Sequence, residues 1–567
     1  MSPPAVSPPP TSTDKASWTE TLPCYAVLIL GVATLCFAAL LVIRSYSPVL
    51  FVDQWEIPRF LISSNGQIPA SWFWTQHGEH RIPILKALQL IDLHYFGGRN
   101  LLLLTAGFGV QLLHLGFLSW FIVRFGIFPT HATAFLVGAA AFCLFCPTQW
   151  EILVFGWGIM YQLAYFAASV AIVCLILYAK SERPRFIACS ILAAVIAECT
   201  LANGVLLWPV LFVEAYALRL SRRIQALLAA AGVIAIGVYL IGYHSPGGHS
   251  NPLESLARPL DVAHYVVVFL NASLLLADPA LSGYLALLGA LFIAGLCEFV
   301  ILRPASPALM YCGLMGGYLL VTATITALGR LNFGLEQALS SRYQTPAMLF
   351  WWIVLAALVA LRKLPVTATV TTIAILLMMT HFRAILDHCT GRSALMETAL
   401  LAIQMDIKDD QYIRNLYPIP ESPIDGYKYL WRRGLALPKT DPTRNLGAPI
   451  RSLYNVIAAG TLENHVDTVN TIPGAVLLTG WANQKISSVV LTDPAGVVIG
   501  CGVAGLPRPE VPAANAPNSG WHGFARIGEA VSEVEVWAVL PDRRSVCPLA
   551  QVALRNNTRA QSSVKPQ

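Results

Sequence analysis

Two carboxylates stand three residues apart in Asp53-Gln54-Trp55-Glu56, and a second polar run follows in Gln76-His77-Gly78-Glu79-His80-Arg81-Ile82-Pro83. A carboxylate whose pKa suits the working pH can take a proton from an attacking hydroxyl, and this is the chemistry Asp53 or Glu56 offers. The other reading of the pair is two solvated acids at a helix end. His77 and His80 share a face if their segment is helical. A divalent cation is then conceivable, but the spacing offers no third ligand and lacks the i, i+4 pair of the zincin signature. Hydrogen bonding is the ordinary use of such histidines, so no cofactor is certain. Much later come Gly329-Arg330-Leu331-Asn332 and Ser340-Ser341-Arg342-Tyr343. Two arginines flanking a short loop suit a phosphate or pyrophosphate, since the guanidinium fork matches phosphate oxygens. The alternative is that they pair with Asp53, Glu56, Glu79 or Glu336. Further polar runs are Gln149-Trp150-Glu151, with Trp157 and Gln162 behind them, Ala202-Asn203-Gly204, and a stretch holding His244 and His249. Trp55, Trp72, Trp74 and Trp150 suit an aromatic belt at a membrane interface.

The elements that carry these residues follow from composition. Of 567 residues, 56% are hydrophobic and only 12% charged, about half the charge of an ordinary soluble domain. A soluble enzyme, a disordered chain and a disulfide-dense scaffold are excluded. The net charge of +6 reflects basic loops and no nucleic-acid-binding surface. A membrane-crossing helix needs roughly 20 apolar residues. About eleven runs qualify, near 25–43, 101–123, 132–146, 158–178, 186–202, 204–218, 224–243, 280–302, 307–328, 345–361 and 364–381. The run from Val262 to Leu276 is left as a re-entrant or interfacial helix, and 186–218 is open to another parse around Asn203-Gly204.

Alternating these spans from a cytoplasmic N-terminus puts Arg124, then Lys180, Arg183 and Arg185, then Arg219, Arg222 and Arg223, then Arg303, then Arg362 and Lys363 in the cytoplasmic loops. That is the positive-inside pattern. The polar runs listed above then fall together on the outer side, where a polar cavity is expected. Charged groups near apolar spans are costly and are functional or paired when present.

The resulting organisation is a disordered cytoplasmic tail (1–22), a transmembrane domain (23–381) with an outer loop (45–100), and an extracytoplasmic stretch of mixed helix and loop (382–464). A small β-sandwich (465–555) and a second disordered tail (556–567) complete it. The β-like runs at Ala475–Ala482, Ser488–Leu491 and Val497–Gly500 are joined by the turn Asp493-Pro494-Ala495-Gly496, a hairpin signal. Trp481, Trp521 or Arg508 could touch carbohydrate, but a core tryptophan is the commoner use. Most of the twelve cysteines read as small apolar residues. Cys501 and Cys547 lie in the outer domain, where a disulfide is permitted but undetermined. No Walker loop, Rossmann fingerprint or internal repeat is present.

Taken together, the acidic turn beside Trp, the Gln-His-Gly-Glu-His-Arg-Ile segment, Gln149-Trp150-Glu151, Ala202-Asn203-Gly204, Gly329-Arg330 and Ser341-Arg342-Tyr343 resemble a large group of bacterial multi-span membrane proteins. The architecture of that group looks like the GT-C superfamily of glycosyltransferases, over about residues 25–430. The resemblance implies an enzyme of the bacterial inner membrane. It would transfer a sugar from a polyprenyl-phosphate donor to a glycan or lipid acceptor at the outer face, with no nucleic-acid partner. It implies Asp53 as the acid of the first outer loop, with Glu56 its nearest substitute. Many GT-C enzymes carry two adjacent acids there, whereas Gln54 and Trp55 split this pair. Substrate contacts would come from His77, Glu79, His80, Arg81, Gln149, Trp150, Glu151, Asn203, Arg330, Arg342 and Tyr343. An O-antigen ligase or polymerase, and a lipid or glycan transporter without catalysis, are the alternatives.

Overall fold

The computed structural model describes residues 18–126, 128–248, 250–274, 279–435, 442–458, 463–506, 508, 519–528 and 531–554. Residues 1–17 and 555–567, which hold most of the two expected tails, lie outside the described residues, as does His249.

Each of the eleven apolar runs is helical. Among the described residues, nine stretches are long and apolar enough to cross a membrane: 21–44, 101–125, 130–154, 156–181, 222–240, 280–302, 307–333, 341–360 and 364–404. The protein is therefore a polytopic helical membrane protein with two of the expected spans shortened. These two are Pro184–Glu198 and Leu207–Ala217, separated by a turn at Ala202–Leu206. At 1.5 Å per residue they rise roughly 22 and 16 Å, short of the ~30 Å hydrocarbon core. Gly204 is why the reversal is so tight, since a Cβ there would lie 2.2 Å from the Ala197 carbonyl carbon. Of the Val262–Leu276 run, residues 275–276 lie outside the described residues, and the part up to 271 belongs to the 13-residue helix Pro259–Asn271, again short of a full span. Proline at the first turn starts several helices, where its missing N–H is no loss. Pro83, Pro184, Pro259 and Pro307 all stand there.

The closest crossing joins Trp18–Arg44 to Thr130–Phe145. A Cβ on Gly31 would lie 2.2 Å from the Gly138 carbonyl oxygen, and one on Gly138 2.4 Å from the Leu28 Cα. Small residues allow such approach where lipid offers no hydrophobic drive between helices. Gly138→Leu is expected to lower stability in detergent by about 3 kcal/mol, the upper part of the range for overpacking. Gly109→Ala is the control, because nothing lies within 4 Å of its added Cβ. Thermal unfolding of both variants checks this, and equal melting would exclude the tight crossing.

Polarity along the bundle follows from which loops meet. Residues 45–100 contact the 199–206 reversal, the end of Arg222–Leu240 and the 329–334 turn through Ala202, Tyr239 and Arg330. The basic groups at 124, 180–185, 219–223, 303 and 362–363 sit at the other ends of the same helices, and Arg124 and Lys180 both stack on Phe125.

Beyond the last long apolar stretch the chain runs on. Leu364–Met379 is followed, after Thr380 and His381, by the 23-residue helix Phe382–Gln404. The apolar helix thus ends close to the expected 381, and the next helix falls in the stretch expected as mixed helix and loop. The C-terminal strands form one mixed eight-stranded sheet, in the order Asn455–Val456, Ser545–Ala553, Glu533–Val539, Ser488–Thr492, Val498–Leu506, Gly520–Arg526, Ala475–Ala482, Asn464–Ile472. All neighbours are antiparallel except the first pair. Register shifts between Val466 and Thr468, Leu491 and Thr492, Ala504 and Leu506, and Pro548 and Ala550 add the local twist that bulges bring. The expected sandwich thus takes the form of a sheet curled into a half-barrel.

Alternation along Ala475–Ala482 serves two cores, as the strand period requires. Val476 and Leu478 join Val489, Leu491, Trp521 and Val536 inside the curl. Ala475 and Leu477 join Cys501 and Phe524 against Leu401, Ala402 and Met405 of the preceding helix. Arg526 fastens this contact by donating to the Met405 carbonyl at 2.5 and 2.8 Å. Cys501 and Cys547 form no disulfide with each other, because they face these different clusters. The expected hairpin turn is present, with Asp493 Oδ1 accepting from the Ala495 and Val497 amides.

Candidate functional site

Asp53 lies in a 3-10 turn, Val52–Trp55, that runs into the helix Glu56–Ser63. Residues i and i+3 share a side of such a turn, so the spacing that splits the acidic pair also brings its carboxylates together. Gln54 and Trp55 turn inward and are buried. Gln54 is held by uncharged partners: its Oε1 accepts from the Phe51 amide at 2.9 Å, and its Nε2 donates to Asn100 Oδ1 at 2.5 Å. Asn100 takes a left-handed φ of 60°, its amide donates to Asp92 Oδ2, and its Nδ2 donates to the Val49 carbonyl. Gln89 extends the network, donating to the Gln54 carbonyl and accepting from Trp157 Nε1.

His77 and His80 sit on a two-stranded hairpin, with Gln76 opposite Arg81 and His77 opposite His80. The helical face that their spacing permits is not formed, and the two rings serve different partners. His77 Nδ1 lies 3.0 Å from Glu56 Oε2, and its Nε2 lies 3.4 Å from Asp53 Oδ2. Burial opposes charge on this ring, but the hydrogen bonds and charges of Asp53 and Glu56 outweigh it and raise the pKa to about 9. The sequence spacing shows no third ligand beside the two histidines, and the fold sets two carboxylates beside His77 alone. One ligand atom each from Asp53, Glu56 and His77 lie within 4.8 Å of one another. Chain folding supplies the missing pair from more than twenty residues upstream.

His80 has the opposite character. Burial lowers its pKa to about 4, despite the neighbouring Glu79 charge. The Ala202 amide donates to its Nδ1 at 3.1 Å, so the proton of the neutral ring is on Nε2, 3.5 Å from Glu79 Oε1. Burial opposes charge on Glu79, but His80 and Arg330 hold its pKa down at about 2. Arg330 pairs with Glu79, one of the acids named as its alternative partner. Arg342 makes no direct ion pair among the described residues, although the Glu151 and Glu79 charges act on it. Its guanidinium lies over the Tyr343 ring at 5.5 Å, where Arg330 lies at 5.8 Å, and its buried Nε has no hydrogen-bond partner among the described residues. Glu151 fixes the turn that presents Arg342. Its Oε2 accepts from Ser341 Oγ at 2.9 Å and from the Arg342 amide at 3.2 Å.

These groups line one cavity of about 270 Å³. Of the residues expected from sequence, Asp53, Glu56, His77, Glu79, His80, Glu151, Arg330 and Arg342 line it. Five others do not. Arg81 is buried and donates to the carbonyls of Trp74, Tyr239 and Ile241, so it clamps the hairpin to a helix end. Gln149 is buried, donating to the Cys143 carbonyl and accepting from Thr345. Trp150 packs on His388 and Arg392. The Asn203 carbonyl accepts from Tyr318. Tyr343 is buried beneath the two arginines, stacked on Phe269. Trp55 and Trp72 are core residues instead of the expected belt. Tyr161 and Met160 line the cavity without having been expected. Their apolar helix hides them, though Trp157 and Gln162 beside them were a signal.

If the His77 ring carries its proton, its grip on the acids is strongest at low pH. The folded pKa of about 9 lies above the ordinary ~6.5 of an unfolded histidine. The stabilisation is therefore complete below about pH 6.5 and lost as pH rises through about 9. Its ceiling is about 3 kcal/mol, reduced by solvent at the partly exposed acids. The stability difference between the parent and His77→Asn should shrink across that window in denaturant titrations. A pH-independent difference would exclude the ion-paired ring.

No protein-family model, no curated protein and no solved structure matches the chain. The bundle and its C-terminal sheet domain have the general shape of a GT-C-like architecture, and that likeness stops at shape.

Proposed function

We propose that the protein is a membrane glycosyltransferase which moves a sugar from a polyprenyl-phosphate donor to a hydroxyl of a glycan or lipid acceptor. The observation carrying this reading is the shared hollow, into which acids from one early loop and arginines from one late loop both project. Asp53 is the base: among the described residues its carboxylate meets one partner, His77, whereas Glu56 is also held by the Tyr417 hydroxyl at 3.3 Å. Asp53 takes the acceptor proton as the acceptor oxygen bonds to the anomeric carbon. The bond from that carbon to the phosphate oxygen breaks, and its electron pair leaves with the phosphate. Arg342 meets the charge gathering there, with Arg330 behind it. Fixed donors aimed at developing charge are the strongest contribution an enclosed site can make. His80 Nε2–H is a neutral donor for a sugar hydroxyl. The donor's lipid tail stays in the bilayer beside the bundle. The positive-inside rule supports a cytoplasmic basic end for the helices and, with it, our reading of the cavity and the sheet domain as lying on the outer face of a bacterial inner membrane.

A divalent cation is a second use of the same triad, favoured by the convergence of Asp53, Glu56 and His77. Two carboxylates and an imidazole suit manganese or zinc. The ion would replace the His77 proton and supply a Lewis acid for the departing phosphate.

Membranes holding the protein, given radiolabelled polyprenyl-phosphate sugars and candidate acceptors, test the proposal. Label appearing in the acceptor supports it. Movement of intact lipid-linked sugar without bond cleavage would favour a transporter. A chelator arm separates proton from cation: transfer that survives chelation leaves the triad to the proton.

A further inference from the structure

A second hollow, about 850 Å³, lies on the other side of the acidic turn, between the helix Phe382–Gln404, the 414–418 segment and the sheet. It is continuous with the wall of the first site. Val52 N donates to the Leu416 carbonyl at 2.7 Å, and Tyr417, which lines the second hollow, reaches Glu56 of the first.

Its charge is one-sided. Arg392, Arg414 and Arg508 line it against a single acid, Asp387, and that acid is engaged by Arg383 at 3.1 Å. Arg508 pairs with Asp467 on the sheet. Among the described residues neither Arg392 nor Arg414 is in a direct ion pair, and the Glu151 charge acts on Arg392 from nearby. The Arg392 guanidinium is held between the rings of Phe51 at 4.4 Å and Trp150 at 5.2 Å. Stacking orients this planar group and leaves its five N–H donors at the edge for a carboxylate or phosphate. Arg414 is exposed at the rim. His522 adds no charge, since burial lowers its pKa to about 4, and its Nδ1 faces the Tyr412 hydroxyl at 3.1 Å.

We infer that this hollow binds the acceptor, and that the acceptor is anionic: a glycan segment bearing carboxylates or phosphates, gripped by Arg392 and Arg414. The Tyr417–Glu56 wall is where its hydroxyl would pass to Asp53. The inference rests on the transferase reading and deepens it by naming the acceptor class.

Binding to purified full-length protein, without donor, tests this separately from transfer. The probes are a galacturonic acid hexamer, its fully methyl-esterified and therefore neutral form, and a mannose 6-phosphate oligosaccharide. The charged hexamer or the phosphorylated probe should bind at least tenfold more tightly than the ester, and whichever does names the anion. Affinity should fall about tenfold in Arg414→Gln and in Arg392→Gln, and weaken with salt. Arg414 is exposed, so its variant keeps the test valid should Arg392→Gln misfold. Asp53→Asn should bind the charged probe unchanged. Equal binding of ester and acid, or no binding of either anion, overturns the inference. Binding of the charged probe by a protein that transfers no sugar would instead sink the transferase reading and leave the hollow as an anion site.

Discussion

Asp53→Asn is expected to cut sugar transfer about 1,000-fold, within the range for loss of a positioned base, while leaving thermal stability within about 1 kcal/mol. Both figures follow from its surroundings. The side chain is partly exposed and its ion pair among the described residues is with His77 at 3.4 Å, so the fold loses little when its charge goes. The amide is nearly isosteric and cannot take the acceptor proton, so the chemical step loses most. Glu56→Gln should behave differently. Glu56 is held by His77 and Tyr417, and its replacement frees both, with a smaller loss of rate and a lower His77 pKa. Steady-state rates at saturating donor distinguish these outcomes. Transfer by Asp53→Asn within threefold of the parent would remove Asp53 as the base and leave Glu56 as the candidate.

Arg342→Ala is expected to lower the rate by about 100- to 1,000-fold, as removal of a fixed donor at developing charge does. The structure separates it from Arg330. Arg330 already has its counter-charge in Glu79, so half of its work is structural. Arg342 has a buried Nε without a hydrogen-bond partner among the described residues and a backbone held by Glu151. A buried donor left unmade is costly, and a phosphate oxygen in the cavity would meet that need. Arg342→Lys keeps the charge but loses the fork, and should recover only part of the rate. Arg330→Ala should instead reduce stability, because Glu79 and His80 are left facing each other without the arginine. Rate and melting temperature measured on the three variants check the division. A melting loss for Arg342→Ala as large as that for Arg330→Ala would overturn it.

Several of these residues were readable before any fold was known, for a physical reason. Charged groups are expensive beside apolar helices, so Asp53, Glu79, Arg330 and Arg342 stand out against their surroundings. The helices were equally plain, since every apolar run became one. What the sequence hid was distance and direction. His77 meets Asp53 and Glu56 through a hairpin, which no local period announces. The short lengths of Pro184–Glu198 and Leu207–Ala217 depend on a glycine reversal buried in an apolar stretch. Arg81 and Gln149 have the same composition signal as the cavity residues, yet they are consumed by backbone carbonyls. Arg392 lies on a helix beyond the expected last span, and Tyr161 is an aromatic residue among apolar neighbours. Neither differs locally from packing.

The hydrogen bond from Tyr417 to Glu56 joins positions 361 apart in the chain. Chains emerge from the ribosome N-terminus first and fold as they emerge, so the acidic turn is synthesised and threaded into the bilayer long before its strap exists. The arginines arrive in between. A nascent or truncated protein therefore holds its acids without the Tyr417 hydroxyl that orients Glu56. On the transferase reading, activity would then wait for the C-terminal segment to take its place beside the acidic turn.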